Sequence, residues 1–204
     1  PPEAMVQKGK LYLRGAIPEL PYPAKTQLHR LQLLDLDGLT YAYPESGRGI
    51  QEVSLGLPRG SFTVVTGRVG SGKTTLLEVL LGLLHMERGE IRWNGERVHD
   101  PRTFLVPPRC AHTPQAPWLF SDTLKNNILM GLQAGEEGLE AAVRLGVMEQ
   151  DVAELESGLE TVVGPRGVKL SGGQVQRTAA ARMFVRDPEL LVFDDLSSAL
   201  DVET

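Results

Sequence analysis

The sequence predicts an α/β fold: a strand-and-helix core, an antiparallel β subdomain, and a helical subdomain inserted into the core. Three observations predict it. The β-branched run "SFTVVTG" (61–67) ends in glycine and is followed by the apolar segment "LLEVLLGLL" (76–84), a buried helix by length and composition. A second continuous apolar run, "ELLVFDD" (189–195), returns the chain to strand character far downstream. Between them, from Pro114 to about Arg186, the reading is mainly helical with no strong strand. A core broken by a helical insert is the simplest account of all three.

Residues 1–30 read as an N-terminal linker or extension. They carry five prolines (Pro1, Pro2, Pro18, Pro21 and Pro23), and only "GKLYLRG" (9–15) has the look of a short strand. Residues 31–113 read as core plus β subdomain. "LDLDGLTYAY" alternates like a half-buried strand, and "IQEVSLGL" repeats the alternation after the turn-rich "PESGRG". "SFTVVTG" suits a buried central strand, and a helix is expected from Lys73 to about His85. "GEIRWNGERV" (89–98) is a hairpin, because Asn94-Gly95 is the favoured pair for a tight primed turn. Residues 114–186 form the helical subdomain, where "LEAAVRLGVMEQDVAEL" has helical spacing and Gly146 is the expected break. Residues 187–204 return to the core.

Bulk composition narrows the partners. A chain of 204 residues is enough for one domain with an inserted subdomain. A net charge of −5 argues against a nucleic-acid partner, which needs a basic face. The single Cys110 excludes an internal disulfide framework and fits a reducing compartment, with the thiol packed in the core. No stretch approaches the roughly 18 apolar residues that span a bilayer. The chain begins "PPEAM" with no signal peptide, which reads as a piece of a longer protein.

"GRVGSGKTT" (67–75) matches the pattern G-x-x-x-x-G-K-[ST] at Gly67, Gly72, Lys73 and Thr74. Its glycines let the backbone curl so that successive N–H groups point inward at an anion, and the helix start adds partial positive charge. Arg68, Val69, Gly70, Ser71 and Thr75 complete the cradle. Lys73 is expected to reach the β- and γ-phosphates of a nucleoside triphosphate, and the Thr74 hydroxyl to ligate Mg²⁺. Downstream, "KLSGGQVQR" (169–177) is a second glycine-rich helix start, which suits the γ-phosphate held by a second copy or partner. It lies 20 residues before "FDD", counting from Gln174 to Asp194.

Together these stretches resemble the nucleotide-binding domain of an ATP-binding cassette transporter over residues 33–204. The resemblance implies a P-loop NTPase core of RecA-like type with ATP and Mg²⁺ as ligands. The cradle is then the Walker A motif, Leu170, Ser171, Gly172, Gly173 and Gln174 the signature, and "LLVFD" the Walker B strand. Ser198, Ala199, Leu200 and Asp201 would form the D-loop, with Asp201 helping to couple two sites. Gln115, 42 residues past Lys73, would be the Q-loop glutamine that contacts Mg²⁺ or the attacking water. Tyr43, followed by Pro44, would stack on adenine, with Tyr41 as its competitor. Asp194 would coordinate Mg²⁺, and the signature would act across a dimer on the partner's ATP.

"LFSDTLKNNI" and "TVVGPRGVKLSGGQ" are similar to exporter-type cassettes, which usually follow a membrane-spanning domain in the same chain. That places the domain at the cytoplasmic face of a membrane. Where the exporter loop reads T-E-V-G-E-R-G, this chain has Val162 and Pro165 in place of the acids. None of His29, His85, His99 and His112 follows Walker B, so the family's switch histidine is not among these residues.

Asp195 stands where the family usually has a glutamate that orients and deprotonates the attacking water. Aspartate offers the same carboxylate on a stem one methylene shorter. A misplacement of about 1 Å costs on the order of 10²-fold in rate, about 2.7 kcal/mol. Positioning dominates phosphoryl transfer, so ATP binding is expected to survive while hydrolysis weakens. The expected function is one half of a heterodimeric exporter whose own site is degenerate. A slow homodimeric ATPase stays open beside it, as does an ATP-sensing regulator. A cassette protein of DNA repair or translation would carry coiled-coil insertions or basic surfaces, and this chain shows neither.

Overall fold

The computed structural model describes residues 3–7 and 10–14, by backbone alone, and 23–195. In chain order its strands and helices are β1 (Glu3–Gln7), β2 (Lys10–Arg14), β3 (Leu33–Ala42), β4 (Gly49–Pro58), α1 (Lys73–Leu80), β5 (Arg88–Trp93), β6 (Glu96–Arg97) and α2 (Pro101–Phe104). They continue with β7 (Cys110–Thr113), β8 (Asp122–Thr123), α3 (Leu124–Leu129), α4 (Glu136–Leu145), α5 (Glu149–Glu154), β9 (Val162–Val163), α6 (Gly172–Phe184) and β10 (Leu190–Phe193). Two compact units divide them. One holds 24–117 and the return from Arg186; the other holds Trp118–Val185 with the antiparallel β1–β2 hairpin.

In the first unit an antiparallel sheet runs in the order β4-β3-β5-β6. Leu34 faces Trp93 and Leu36 faces Ile91 across β3 and β5. These four side chains are buried in one cluster with Leu76, Val79 and Leu80 of α1, the burial that the alternation in the sequence calls for. Asn94 and Gly95 take positive φ, 55° and 85°, as a primed hairpin turn requires. The Asn94 carboxamide also accepts from the Gln32 and Leu33 amides and donates to the Arg30 carbonyl, tying the chain's entry to the sheet. Gly49 sits so close to its neighbour that an added Cβ would lie 1.8 Å from the Tyr41 carbonyl oxygen.

Two expectations are corrected here. "SFTVVTG" is not a strand: residues 61–66 carry no regular structure and are exposed, Phe62 at 91%. A β-branched run becomes a strand only when a neighbour completes its ladder, and no strand among the described residues pairs with it. The helix after the cradle ends at Leu80, not near His85. Gly82 takes φ +69° there and passes so near α2 that a Cβ would lie 2.5 Å from the Arg102 nitrogen.

The parallel pair β7–β10 is the other sheet of this unit, with Leu190 opposite Cys110 and Phe193 opposite Thr113. Cys110 is 1% exposed, and burial pushes its thiol up to about 12, so it packs as the sequence predicts. At the entrance to β10, the Glu189 carboxylate is 6% exposed. It accepts from the Leu31 amide at 3.0 Å and meets Lys25 at 2.8 Å and Arg59 at 3.7 Å.

The second unit packs Leu124 and Ile128 of α3, Leu139 and Val143 of α4, Met148, Val163 and Ala181 into one cluster. Gly146 breaks the helical run where expected; a side chain there would press on Ala181 of α6 at 3.1 Å. The buried Asn127 carboxamide donates to the carbonyls of Phe120, Asp122 and Thr123 and accepts from the Phe120 amide. It thereby satisfies the backbone of the turn that leads into α3.

Candidate functional site: a phosphate cradle beside two acids

The cradle residues 67–72 lead into α1, whose N-cap is Gly72 at φ +92°. Only glycine takes that backbone without strain. A Cβ there would also meet Ile50 at 3.0 Å. Gly70 needs a left-handed φ of +79° as well. Gly67 is bare for space, since a Cβ would lie 2.6 Å from the Ser71 hydroxyl. Gly67, Arg68, Val69, Gly70 and Ser71 are exposed, and Thr75 is buried. Lys73 Nζ donates to the carbonyl oxygens of Gly67 and Arg68 at 2.9 and 3.1 Å. The ammonium is thus held over the loop that it is expected to share with phosphate.

The β7–β10 ladder brings the acids to this loop. Its last bond, Asp194 N to Thr113 O at 3.0 Å, carries the ladder one residue past β10. Thr74 Oγ1 then donates to Asp194 Oδ1 at 3.2 Å, so the two predicted Mg²⁺ ligands stand together although 120 residues separate them. Gln115, two residues past β7, donates from Nε2 to Asp195 Oδ2 at 3.2 Å. Asp195 has φ +55°, an unusual backbone for a non-glycine residue. His112, on β7, is half-buried. Burial pushes its imidazole below the ordinary value against the pull of Asp194.

Mg²⁺ takes one or two protein oxygens and fills its octahedron with phosphate and water. A hydroxyl and a carboxylate at one spot fit that donor set. Among the described residues no cluster of three His, Cys, Asp or Glu side chains is present, so the geometry does not suit an all-protein metal cage.

Tyr43 and Tyr41 separate in their surroundings. Tyr41 packs against the buried core, whereas Tyr43 is 37% exposed. Their rings meet edge to face at 5.1 Å. The Tyr43 hydroxyl lies 3.3 Å from the Thr75 hydroxyl and donates to Glu78 at 3.5 Å, tethering it to α1. Sequence reasoning missed Glu78, whose signal is its position one turn past Thr75.

In the second unit, Ser171 caps α6. Its Oγ accepts from the Gln174 amide at 3.2 Å, and Gln174 Oε1 accepts from the Ser171 amide at 2.9 Å. This reciprocal capping box satisfies two helix-end donors. Leu170 and Gly173 are half-buried, and Ser171 and Gly172 exposed. Gly172 needs neither a positive φ nor the space, because a Cβ there would meet nothing within 4 Å. Asp151, on α5, takes a bidentate pair from Arg177 at 2.6 and 2.8 Å. That pairing holds the guanidinium above its ordinary pKa, against burial. Ser198, Ala199, Leu200 and Asp201 lie outside the described residues.

The fold and site define a P-loop NTPase, and comparison with known proteins gives the family. The ABC transporter family matches residues 50–198. The ATP-dependent lipid A-core flippase of Pseudomonas fluorescens (strain Pf0-1) is 38% identical over 84% of this chain and 29% of its own length. The probable multidrug resistance ABC transporter ATP-binding/permease protein YheI of Bacillus subtilis (strain 168) is 37% identical over 81% of this chain and 29% of its own length. A solved structure, a bacterial Atm1-family ABC exporter with ATP bound, superposes with a TM-score of 0.76 at 28% identity, covering 91% of this chain and 32% of that one. The chain belongs to the ABC transporter family and carries its nucleotide-binding, ATPase domain. It spans under a third of the length of these curated relatives. Among the described residues no helix is long and apolar enough to cross a membrane.

Proposed function

We propose that this chain binds and hydrolyses ATP to drive an exporter, and that its own site holds MgATP firmly while hydrolysing it weakly. Residues 31–113 and 187–204 form the nucleotide-binding core in this reading, and 114–186 the helical subdomain. The observation that carries it is the meeting of Thr74 with Asp194 beside the Lys73 loop. Thr74 and Asp194 would hold Mg²⁺, which supplies charge neutralisation for the β- and γ-phosphates. Lys73 exchanges its two loop carbonyls for phosphate oxygens, and the cradle amides take the remaining charge. Tyr43, tethered and exposed, offers adenine a stacking face, while Tyr41 belongs to the core.

Gln115 and Asp195 are the pair that would orient the attacking water. Their direct contact supports a site assembled at the correct strand ends. The short stem of Asp195 leaves its carboxylate nearer the chain than a glutamate's would be, which supports slow attack. The signature Leu170–Gln174 serves the ATP of a second nucleotide-binding domain, and the unneeded bareness of Gly172 supports close approach by an outside ligand. That second domain completes a competent site in a heterodimer, and a membrane-spanning domain places the pair at the cytoplasmic face. A slow homodimeric ATPase is the competing reading, favoured by the reach of Gln115 to Asp195.

The test is the chemical state of nucleotide held at this site. In the intact transporter under turnover, radiolabelled ATP crosslinked at this cradle is expected to be recovered mainly as triphosphate, and as diphosphate in Asp195→Glu. Recovery of diphosphate from the wild type would refute the degenerate site.

A further inference from the structure

Four polar groups in the second unit form a continuous chain that ends at the signature serine. Arg177 grips both oxygens of Asp151, at 2.6 and 2.8 Å. The same Asp151 Oδ1 accepts from Gln174 Nε2 at 3.4 Å. The other end of that carboxamide, Oε1, accepts from the Ser171 amide at 2.9 Å. The Ser171 hydroxyl in turn accepts from the Gln174 amide. Thr178 Oγ1 donates to the Gln174 carbonyl at 2.7 Å, fixing the backbone of the same turn.

The direction of this chain is set by Asp151. A carboxamide can turn over end for end at almost no cost in shape, presenting N–H where it had offered oxygen. Turned over, Gln174 would aim its own donors at the Ser171 N–H and lose the cap. A carboxylate accepts only, so the fixed Asp151 oxygen selects the orientation in which Nε2 faces it and Oε1 faces Ser171. Arg177 holds the carboxylate rigidly through the bidentate geometry that guanidinium favours. Because Ser171 Oγ serves the helix start as an acceptor from the Gln174 amide, the cap does not use its proton, and the hydroxyl can donate to an anion.

We propose that Asp151 is a positioning residue for the signature: acting through Gln174, it holds the Ser171 hydroxyl in the donating orientation for the triphosphate that a second domain presents. This rests on the trans role of the signature given above. Asp151 touches no nucleotide in this scheme. Its effect falls on ATP at the opposing site and leaves the cradle around Lys73 alone.

The experiment is a double-mutant cycle in the intact transporter, reading KM and kcat for ATP. Asp151→Asn keeps shape and volume but offers Gln174 a group that can donate as well as accept. It is expected to raise KM by about fivefold, the net scale of one ordinary hydrogen bond. Ser171→Ala is expected to raise KM as well, and the double variant to match Ser171→Ala alone, because Asp151 acts through that hydroxyl. Additive effects, or a wild-type KM in Asp151→Asn beside an impaired Ser171→Ala, would overturn the positioning role and leave the trans reading standing. A wild-type KM in Ser171→Ala would instead overturn the trans reading, and the inference with it. Should Asp151→Asn fail to fold, Asp151→Glu restores the charge for Arg177 while moving the carboxylate relative to Gln174. The same rise in KM is expected there with normal thermal stability, and an unchanged KM would sink the proposal.

Discussion

Lys73 closes the cradle loop on itself. Its ammonium rests on the carbonyls of Gly67 and Arg68, so the loop is held in a ring by the group proposed to reach phosphate. In the proposed binding step phosphate would displace two neutral acceptors, and a charged acceptor is the stronger partner. Tyr43 carries a prediction at this scale. Removing its ring in Tyr43→Ala is expected to weaken ATP binding by about tenfold or more, the loss of one base–aromatic stack. Tyr43→Phe keeps the ring and loses only the long contacts to Thr75 and Glu78, so a change of about threefold or less is expected. Titration of a fluorescent ATP analogue distinguishes these cases. Equal losses in the two variants would show that the hydroxyl, and not the ring, does the binding. Motif spacing singles out Lys73 and Thr74, and the sequence offers Tyr43 with Tyr41 as its competitor. It did not carry Glu78 or Asp151, whose partners are set by helix packing that no motif spells.

At the scale of elements, legibility followed how local the determinant is. Asn94-Gly95 needs only its own backbone to make a primed turn, and Gly146 only a break in helical spacing; both were readable. The run at 61–66 forms no strand because strand formation depends on a neighbour, and β-branching reports only the preference. The helix from Lys73 stops early because Gly82 lets the backbone approach Arg102, a contact between distant parts of the chain. The anchoring of Lys25, Leu31 and Arg59 on Glu189 was likewise invisible. It yields a pH prediction. Burial pushes the Glu189 carboxyl up, yet Lys25, the Leu31 amide and Arg59 together hold it below its ordinary value of 4.5. A carboxyl lowered on folding contributes stability that is present above the unfolded value and lost as pH falls through the folded one. Glu189→Gln is therefore expected to lower the melting temperature at pH 7, with the difference from wild type shrinking as the pH falls below about 4. Melting curves at pH 7, 5 and 3 check this; a constant difference would show that the carboxylate charge is not what Glu189 contributes.

For the whole molecule, the family is fixed by matched sequence and by a superposed exporter structure, while the proposed balance between binding and hydrolysis turns on one side chain. In the proposed reading, the groups that would hold MgATP come from separated segments: loop and helix from 67–80, the acid from the end of β10, the aromatic from the end of β3. Asp195 accepts from Gln115, so in the proposed site the carboxylate stands beside the expected Q-loop glutamine and its length decides the outcome. The sequence could place that carboxylate but not measure its reach, since reach depends on how the strand end turns, here through φ +55° at Asp195. The measurement that bears most directly on this is single-turnover ATP hydrolysis by the intact transporter, with Asp195→Glu beside wild type and the site's own ATP followed. A rise of about tenfold or more with glutamate is expected, within the roughly 10²-fold that a 1 Å misplacement commands. Brisk wild-type turnover at this site, unchanged by Asp195→Glu, would contradict it.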